Sequence, residues 1–132
     1  MIADTNVLLR ALEGDTSAHG KAVRNRVETA RATAETLTVL SATVLEVACA
    51  LESARAGYGW DRDVIARAIE AVIDEPAFDV EHDEALRRAA ATYRERSIDL
   101  HDCLLSAVAN ERQTRVLSFD DDLRKLGNSE HP

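Results

Sequence analysis

Lysine is almost absent from this chain of 132 residues, which carries 2 Lys against 14 Arg and 24 acids, for a net charge of −8 at pH 7. Broad phosphate-binding surfaces are built from clustered Lys and Arg, so a wide, non-specific nucleic-acid face is excluded. A small site in which metal ions bring the positive charge is not. Cysteine is equally scarce. Cys49 and Cys103 form no spacing pattern and sit inside apolar helical stretches, so they read as small core residues of a reducing compartment. Only Pro76 and Pro132 punctuate the chain. No apolar run approaches the ~18 residues needed to span a bilayer, and the N-terminus lacks a basic region followed by an apolar stretch. These absences lead us to expect a cytoplasmic protein with no membrane contact.

What remains is an ordinary folded composition, 45% hydrophobic and 30% charged. A chain of this length buries roughly 65% of its unfolded surface without a disulfide or metal staple. One domain over residues 1–132 is expected. The Arg bias supplies fixed, forked donors suited to carboxylate or phosphate, and the acidic surface suits a basic protein partner.

Short apolar runs alternate with helical patterns. Ile2-Ala3 is a brief strand-like start. Asp15 or Ser17 caps a helix running to about Ala34, on which Val23, Val27, Ala30 and Ala34 recur. Leu37 to Leu40 reads as a buried strand. Ser41 caps a helix through about Ala56, closed by Gly57. Asp61 opens another, with Val64, Ile65, Ala68, Ile69, Val72 and Ile73 on one stripe. Phe78-Asp79-Val80 is a strand. Helices marked by Leu86 to Tyr93 and by Leu100 to Glu111 follow, then a strand over 115–119 and a short helix from Asp121 to Leu126. Beyond Gly127 there is no apolar run for a last strand. Strands alternating with helices predict a parallel sheet covered on both faces, with ligands beyond the carboxyl ends of its strands.

Four acids stand where that rule directs attention. Asp4 follows the first strand and also suits a helix N-cap. Glu46 is the only charge between Ser41 and Glu52, and amid such neighbours a half-buried carboxylate needs a partner or a metal. Asp102 opens a helix that Asp99 can cap, where the dipole favours acids. Asp120 ends a strand and is followed by Asp121 and Asp122. Parallel strands bring Asp4 and Asp120 to one sheet edge, and Glu46, one turn into the helix after the second strand, points back over it. Gathered carboxylates repel one another, and hard cations with oxygen ligands, Mg²⁺ or Mn²⁺, remove that cost. Such a site suits in-line attack on a phosphodiester.

At these residues the sequence resembles the PIN-domain family, and most closely the single-domain ribonuclease toxins of bacterial VapBC-type toxin–antitoxin pairs. The marks are Asp4-Thr5-Asn6, Glu46 in an apolar helix, His101-Asp102-Cys103-Leu104-Leu105, and Ser118-Phe119-Asp120, and the match runs along essentially the whole chain. The resemblance implies a three-layer α/β/α sandwich with a parallel four- to five-stranded sheet. It implies that Asp4, Glu46, Asp102 and Asp120 form the catalytic, metal-binding cluster. Ser118, Thr5 and Asn6 match its bracing polar residues, and Asp99 or Asp122 assists through water. The implied activity is a Mg²⁺- or Mn²⁺-dependent endoribonuclease using metal-activated water. Its partners are RNA and a VapB-like antitoxin with a basic C-terminal segment, and it forms a homodimer. The wide stripe from Val64 to Ile73 is the apolar surface offered to that assembly.

Other residues weigh less. His101 points about 100° away from Asp102 and belongs beside the site or in solvent. Trp60 reads as a staple before a helix cap rather than a base-stacking platform. Tyr93 is core. Arg10, Arg112 and Arg115 fit either phosphate or surface ion pairs. Two rival functions stand beside the nuclease. A phosphatase or receiver-like domain needs a lysine facing the acids, and neither Lys21 nor Lys125 ends a strand. A non-catalytic acidic module for a basic partner is separated from the nuclease by metal titration.

Overall fold

A computed structural model describes residues 1–132. Its ladders are all parallel. Thr38 donates to Met1 O and accepts from Ala3 N, both at 2.8 Å, which pairs Ile2 with Thr38 in a single bridge. Strand β1, Leu37–Val39, pairs in turn with β2, Phe78–Val80. Strand β3, Val116–Leu117, pairs with β4, Ser129–Glu130, in a separate two-stranded sheet. The last strand therefore forms without any apolar run. A two-residue edge ladder needs only backbone donors and acceptors, here Val116 N to Asn128 O and Ser118 N to Glu130 O.

Seven helices surround these ladders: α1 Thr5–Leu12, α2 Ala18–Thr33, α3 Ser41–Glu52, α4 Arg62–Asp74, α5 Asp83–Glu95, α6 Leu100–Glu111 and α7 Asp121–Lys125. The mixed helix and parallel-strand order is that of an α/β fold. Leu37, Val39 and Val80 turn one sheet face inward and are buried. Ile2, Thr38 and Asp79, which the register places on the other face, are exposed or half-buried. Burial therefore alternates across this ladder, with one face packed inward and the other more open.

The main core is contributed by α3, α4, α5 and α6 around Leu51, Ile65, Leu86 and Tyr93, none of which is exposed to solvent. A small satellite of Val27, Ala30, Leu37 and Ala77 holds α2 to the sheet. The α4 stripe is mostly consumed by this core: Ile65, Ala68, Ile69 and Val72 are buried, and Val64 alone is exposed. The exposed apolar side chains lie elsewhere, chiefly Met1, Ile2, Leu117 and Phe119. This corrects the idea that α4 keeps a broad apolar face.

Two local details also differ from expectation. Ser41 is the first residue of α3, not its cap. The capping acceptor comes from Glu81, whose carboxylate takes the Ser41 backbone N–H at 3.1 Å and its hydroxyl at 2.6 Å. That helix ends at Glu52 rather than near Ala56, because the chain turns back to pair Trp60 N with Leu51 O at 2.8 Å. In α2, Gly20 is required by close approach: a Cβ there would stand 2.1 Å from the Asp15 carbonyl oxygen.

Candidate metal centre

Asp4 is exposed at the N-cap of α1, and its carboxylate accepts from the Asn6 backbone N–H at 3.4 Å. Capping and a place just past a strand end are thus properties of one residue. The Asn6 contribution is its amide rather than its side chain. Thr5 turns to the second acid, donating its hydroxyl to Glu46 Oε2 at 2.6 Å. Glu46 is exposed, not half-buried. At 100° per residue the buried stripe of α3 falls on Val44, Val47, Ala48 and Leu51, and Glu46 shares the outer face with Ala42 and Cys49. The apolar surroundings of Glu46 in sequence are therefore not its surroundings in space. Cys49 follows it outward, so only Cys103 is a core cysteine.

Asp102 is the enclosed member, with its side chain 16% exposed in the first turn of α6. Burial and then the charges of Asp120, Asp99 and Asp122 push its carboxyl above the usual range, and only His101 opposes them. Asp99 occupies the N-cap position of α6 without a side-chain capping bond. Asp120 caps α7, accepting from Asp122 N at 2.8 Å, while its own N–H goes to Ser118 Oγ at 2.9 Å. Lys125 reaches Asp122 at 2.7 Å, so this lysine folds back onto the acidic end although it ends no strand.

The acids thus form two linked halves. Asp4 and Glu46 are joined through Thr5, and Asp102 lies within the electrostatic field of Asp99, Asp120 and Asp122. A cleft of about 360 Å³ lies between α3 and the start of α6, lined by Glu46, Glu52, Asp99 and His101 with Leu45, Ala48 and Cys49 among its walls, and Asp4, Asp102 and Asp120 stand outside it. No three Asp, Glu, His or Cys side chains meet closely enough to ligate one ion as they stand. The donor set nevertheless fits a hard divalent cation. It is all carboxylate oxygen, and no Lys or Arg ion-pairs with Asp4, Glu46, Asp102 or Asp120.

A family model described as PIN domain matches residues 1–128. The chain belongs to the PIN-domain family. Over 127 residues it is 30% identical to the VapC ribonuclease of Aquifex aeolicus (strain VF5), a match that covers 96% of this chain and 91% of that protein. The resemblance read from the four acids is therefore correct at the level of the family and of its VapC-type members.

Several neighbours of the site in this PIN domain were not singled out by the sequence. Glu52 lines the same cleft as Glu46, and the hydroxyl of fully buried Tyr93 donates to it. Arg62 lies over the Tyr93 ring, 3.7 Å from its centroid. A tyrosine on a buried stripe must find a partner for its hydroxyl, and that requirement was the available clue. Among the arginines weighed for phosphate, Arg10 pairs with Asp15 at 2.5 Å and Arg115 with Glu130 at 3.3 Å. Arg112 is exposed and in no ion pair. His101 is 60% exposed, 4.0 Å from Asp102. Trp60 precedes the α4 cap, packs on the core and meets Tyr58 edge-on.

Proposed function

We propose that this PIN domain is a Mg²⁺- or Mn²⁺-dependent endoribonuclease and the toxin of a type II toxin–antitoxin pair. Asp4, Glu46, Asp102 and Asp120 are the residues that would hold the cation. A divalent ion bound among them supplies positive charge against both carboxylates and phosphodiester, and lowers the pKa of water. The observation that carries the reading is an acid set without a basic counter-ion: Thr5 holds Glu46, Asp102 is enclosed near Asp120 and Asp99, and no Lys or Arg pairs with any of the four acids. The similarity to a VapC ribonuclease supports it independently.

The remaining chemistry belongs to this chain's own side chains. Thr5 fixes one Glu46 oxygen and leaves the other for a ligand. Ser118 and the α7 backbone hold Asp120 in place, with Asp99 and Asp122 assisting through water. A covalent route lacks a nucleophile paired with a base. Burial pushes the Cys103 thiol up to about 11, and its hydrogen-bonding partner is the Ile98 carbonyl, not a base.

Cleavage of RNA by the purified chain, abolished by chelator and restored by Mn²⁺, tests the reading. Metal-independent cleavage would refute it. The position of Lys125 favours a second reading, a phosphoacceptor domain, because that ammonium contacts Asp122. Phosphorylation of an acid by a small-molecule phosphodonor separates the two.

The proposal extends to one domain over residues 1–132 in a three-layer sandwich with a parallel four- to five-stranded sheet. It further includes a cytoplasmic location, a VapB-like antitoxin with a basic C-terminal segment, and a homodimer measurable by light scattering. No helix is long and apolar enough to cross a membrane.

A further inference from the structure

We propose that Arg62 is a positioning residue that sets the Asp99–Asp102 half of the site against the helix bearing Glu46, an inference that rests on the metal-site reading above. The last carbonyls of a helix have no partner within it. At the end of α5, one guanidinium takes a last-turn carbonyl, the C-cap carbonyl and one from the connection beyond: Arg62 Nε donates to Tyr93 O at 2.9 Å, and Nη2 donates to Arg96 O at 2.7 Å and to Ile98 O. The residue after Ile98 is Asp99, the N-cap position of α6, and Asp102 lies in the first turn beyond it. Arg62 therefore holds the connection that delivers both acids.

The same side chain reaches the other half. Its Nη1 stands 3.9 Å from Glu52, and Tyr93, stacked beneath the guanidinium, donates its hydroxyl to that carboxylate. Burial and the neighbouring Glu52 keep the Tyr93 phenol protonated. Glu52 belongs to α3, as Glu46 does, and faces the same cleft. Arg62 itself is absent from the cleft wall. It acts through others, and the fixed fork of a guanidinium, not a point charge, is what three diverging carbonyls require. Arg96 adds a weaker tie from the same connection to α7, through Lys125 O at 2.9 Å.

The full-length chain is compared with Arg62→Met, Arg62→Lys and Arg94→Met by Mn²⁺ calorimetry, RNA cleavage kinetics and thermal melting. Arg94 braces α4 against α5 through Asp63 at 2.9 Å and Glu70 at 3.6 Å without reaching the connection, so it controls for lost stability. Arg62→Met is expected to weaken Mn²⁺ binding about tenfold and lower kcat by about 10–100-fold with KM little changed, the scale of outer-shell losses at metal sites. Arg62→Lys recovers part of both, and Arg94→Met lowers the melting temperature with parental Mn²⁺ affinity and kcat. The proposal is overturned if Arg62→Met keeps parental affinity and kcat, or if Arg94→Met weakens Mn²⁺ binding as much. Should Arg62→Met not fold, Tyr93→Phe removes the hydroxyl bond to Glu52 and leaves the three carbonyl bonds of Arg62 in place. Parental Mn²⁺ affinity in both Tyr93→Phe and Arg62→Lys is then the overturning result. A parent that binds no Mn²⁺, or Asp102→Asn binding it as the parent does, refutes the metal-site reading instead.

Discussion

Thr5 and Glu46, separated by 41 positions in the chain, share a hydrogen bond of 2.6 Å from hydroxyl to carboxylate. The bond ties the first turn of α1 to the middle of α3, and with it Asp4, just after the Ile2 bridge, to Glu46 in the helix that follows β1. Glu46 is exposed and has no other hydrogen-bonding partner, so this hydroxyl alone restricts its carboxylate.

Removing the hydroxyl at constant shape should therefore cost function more than stability. Thr5→Val is expected to lower Mn²⁺-dependent cleavage about tenfold, in the range of outer-shell metal-site losses, while Thr5→Ser retains most of it. Initial rates on a labelled RNA decide the matter, and equal rates for Thr5→Val and parent would refute the role given to Thr5.

Each of Asp4→Asn, Glu46→Gln, Asp102→Asn and Asp120→Asn is expected to leave a folded protein that cleaves at least ~10²-fold more slowly, beyond the outer-shell range. Circular dichroism reports the fold and single-turnover assays report the cleavage. An Asp102→Asn protein as fast as the parent would place the chemistry elsewhere.

Asp102 also predicts a pH dependence. Its carboxyl is raised by burial and by Asp120 and Asp99, so the folded state holds its proton more tightly than the unfolded state does. The stability this confers is present at low pH and is lost as pH rises through the folded value. In chelator, Asp102→Asn should be more stable than the parent at pH 7, with the difference shrinking toward pH 4. Urea unfolding at both pH values measures it, and a difference that grows on acidification would contradict the assigned cause.

Gly20→Ala tests the first turn of α2. Helix propensity alone favours alanine by roughly 0.5–1 kcal/mol. The added Cβ would meet the Asp15 carbonyl oxygen at 2.1 Å, and overpacking of this kind costs about 1–3 kcal/mol. A lower urea midpoint with an unchanged slope is the expected result, and a higher midpoint would show that the Asp15 loop yields freely.

The charge of the site predicts how an inhibitory partner competes. A basic side chain lying among Asp4, Glu46, Asp102 and Asp120 neutralises them as a cation does. Raising Mg²⁺ should then weaken binding of a basic antitoxin arm more than Na⁺ at matched ionic strength, beyond general screening. Calorimetric titrations in the two salts that agree would place the arm away from the four acids.

Most of the helices were legible because their caps and stripes are local. Ser17 caps α2, Asp61 precedes α4, and Gly127 follows α7, where the spacing of polar and apolar residues alone placed them. The four acids were legible for a related reason: a carboxylate at a strand end or in an apolar run departs from local expectation. Such a residue draws notice whatever the tertiary structure is. The burial of Glu46 was misread because sequence neighbours on a helix point to different faces. Cys49 was misread with it.

Sequence by itself determined most of the element order and its parallel connections, though not the last strand, and singled out four acids, because periodicity, capping and charge act over a few residues. Tertiary structure alone decided which groups meet. Glu81 caps α3 from 40 positions away, Thr5 finds Glu46, and Arg62 gathers carbonyls up to 36 positions distant. Those partners are chosen by how the helices pack over the sheet, since only packing brings donors and acceptors so far apart in the chain within the roughly 3 Å of a hydrogen bond.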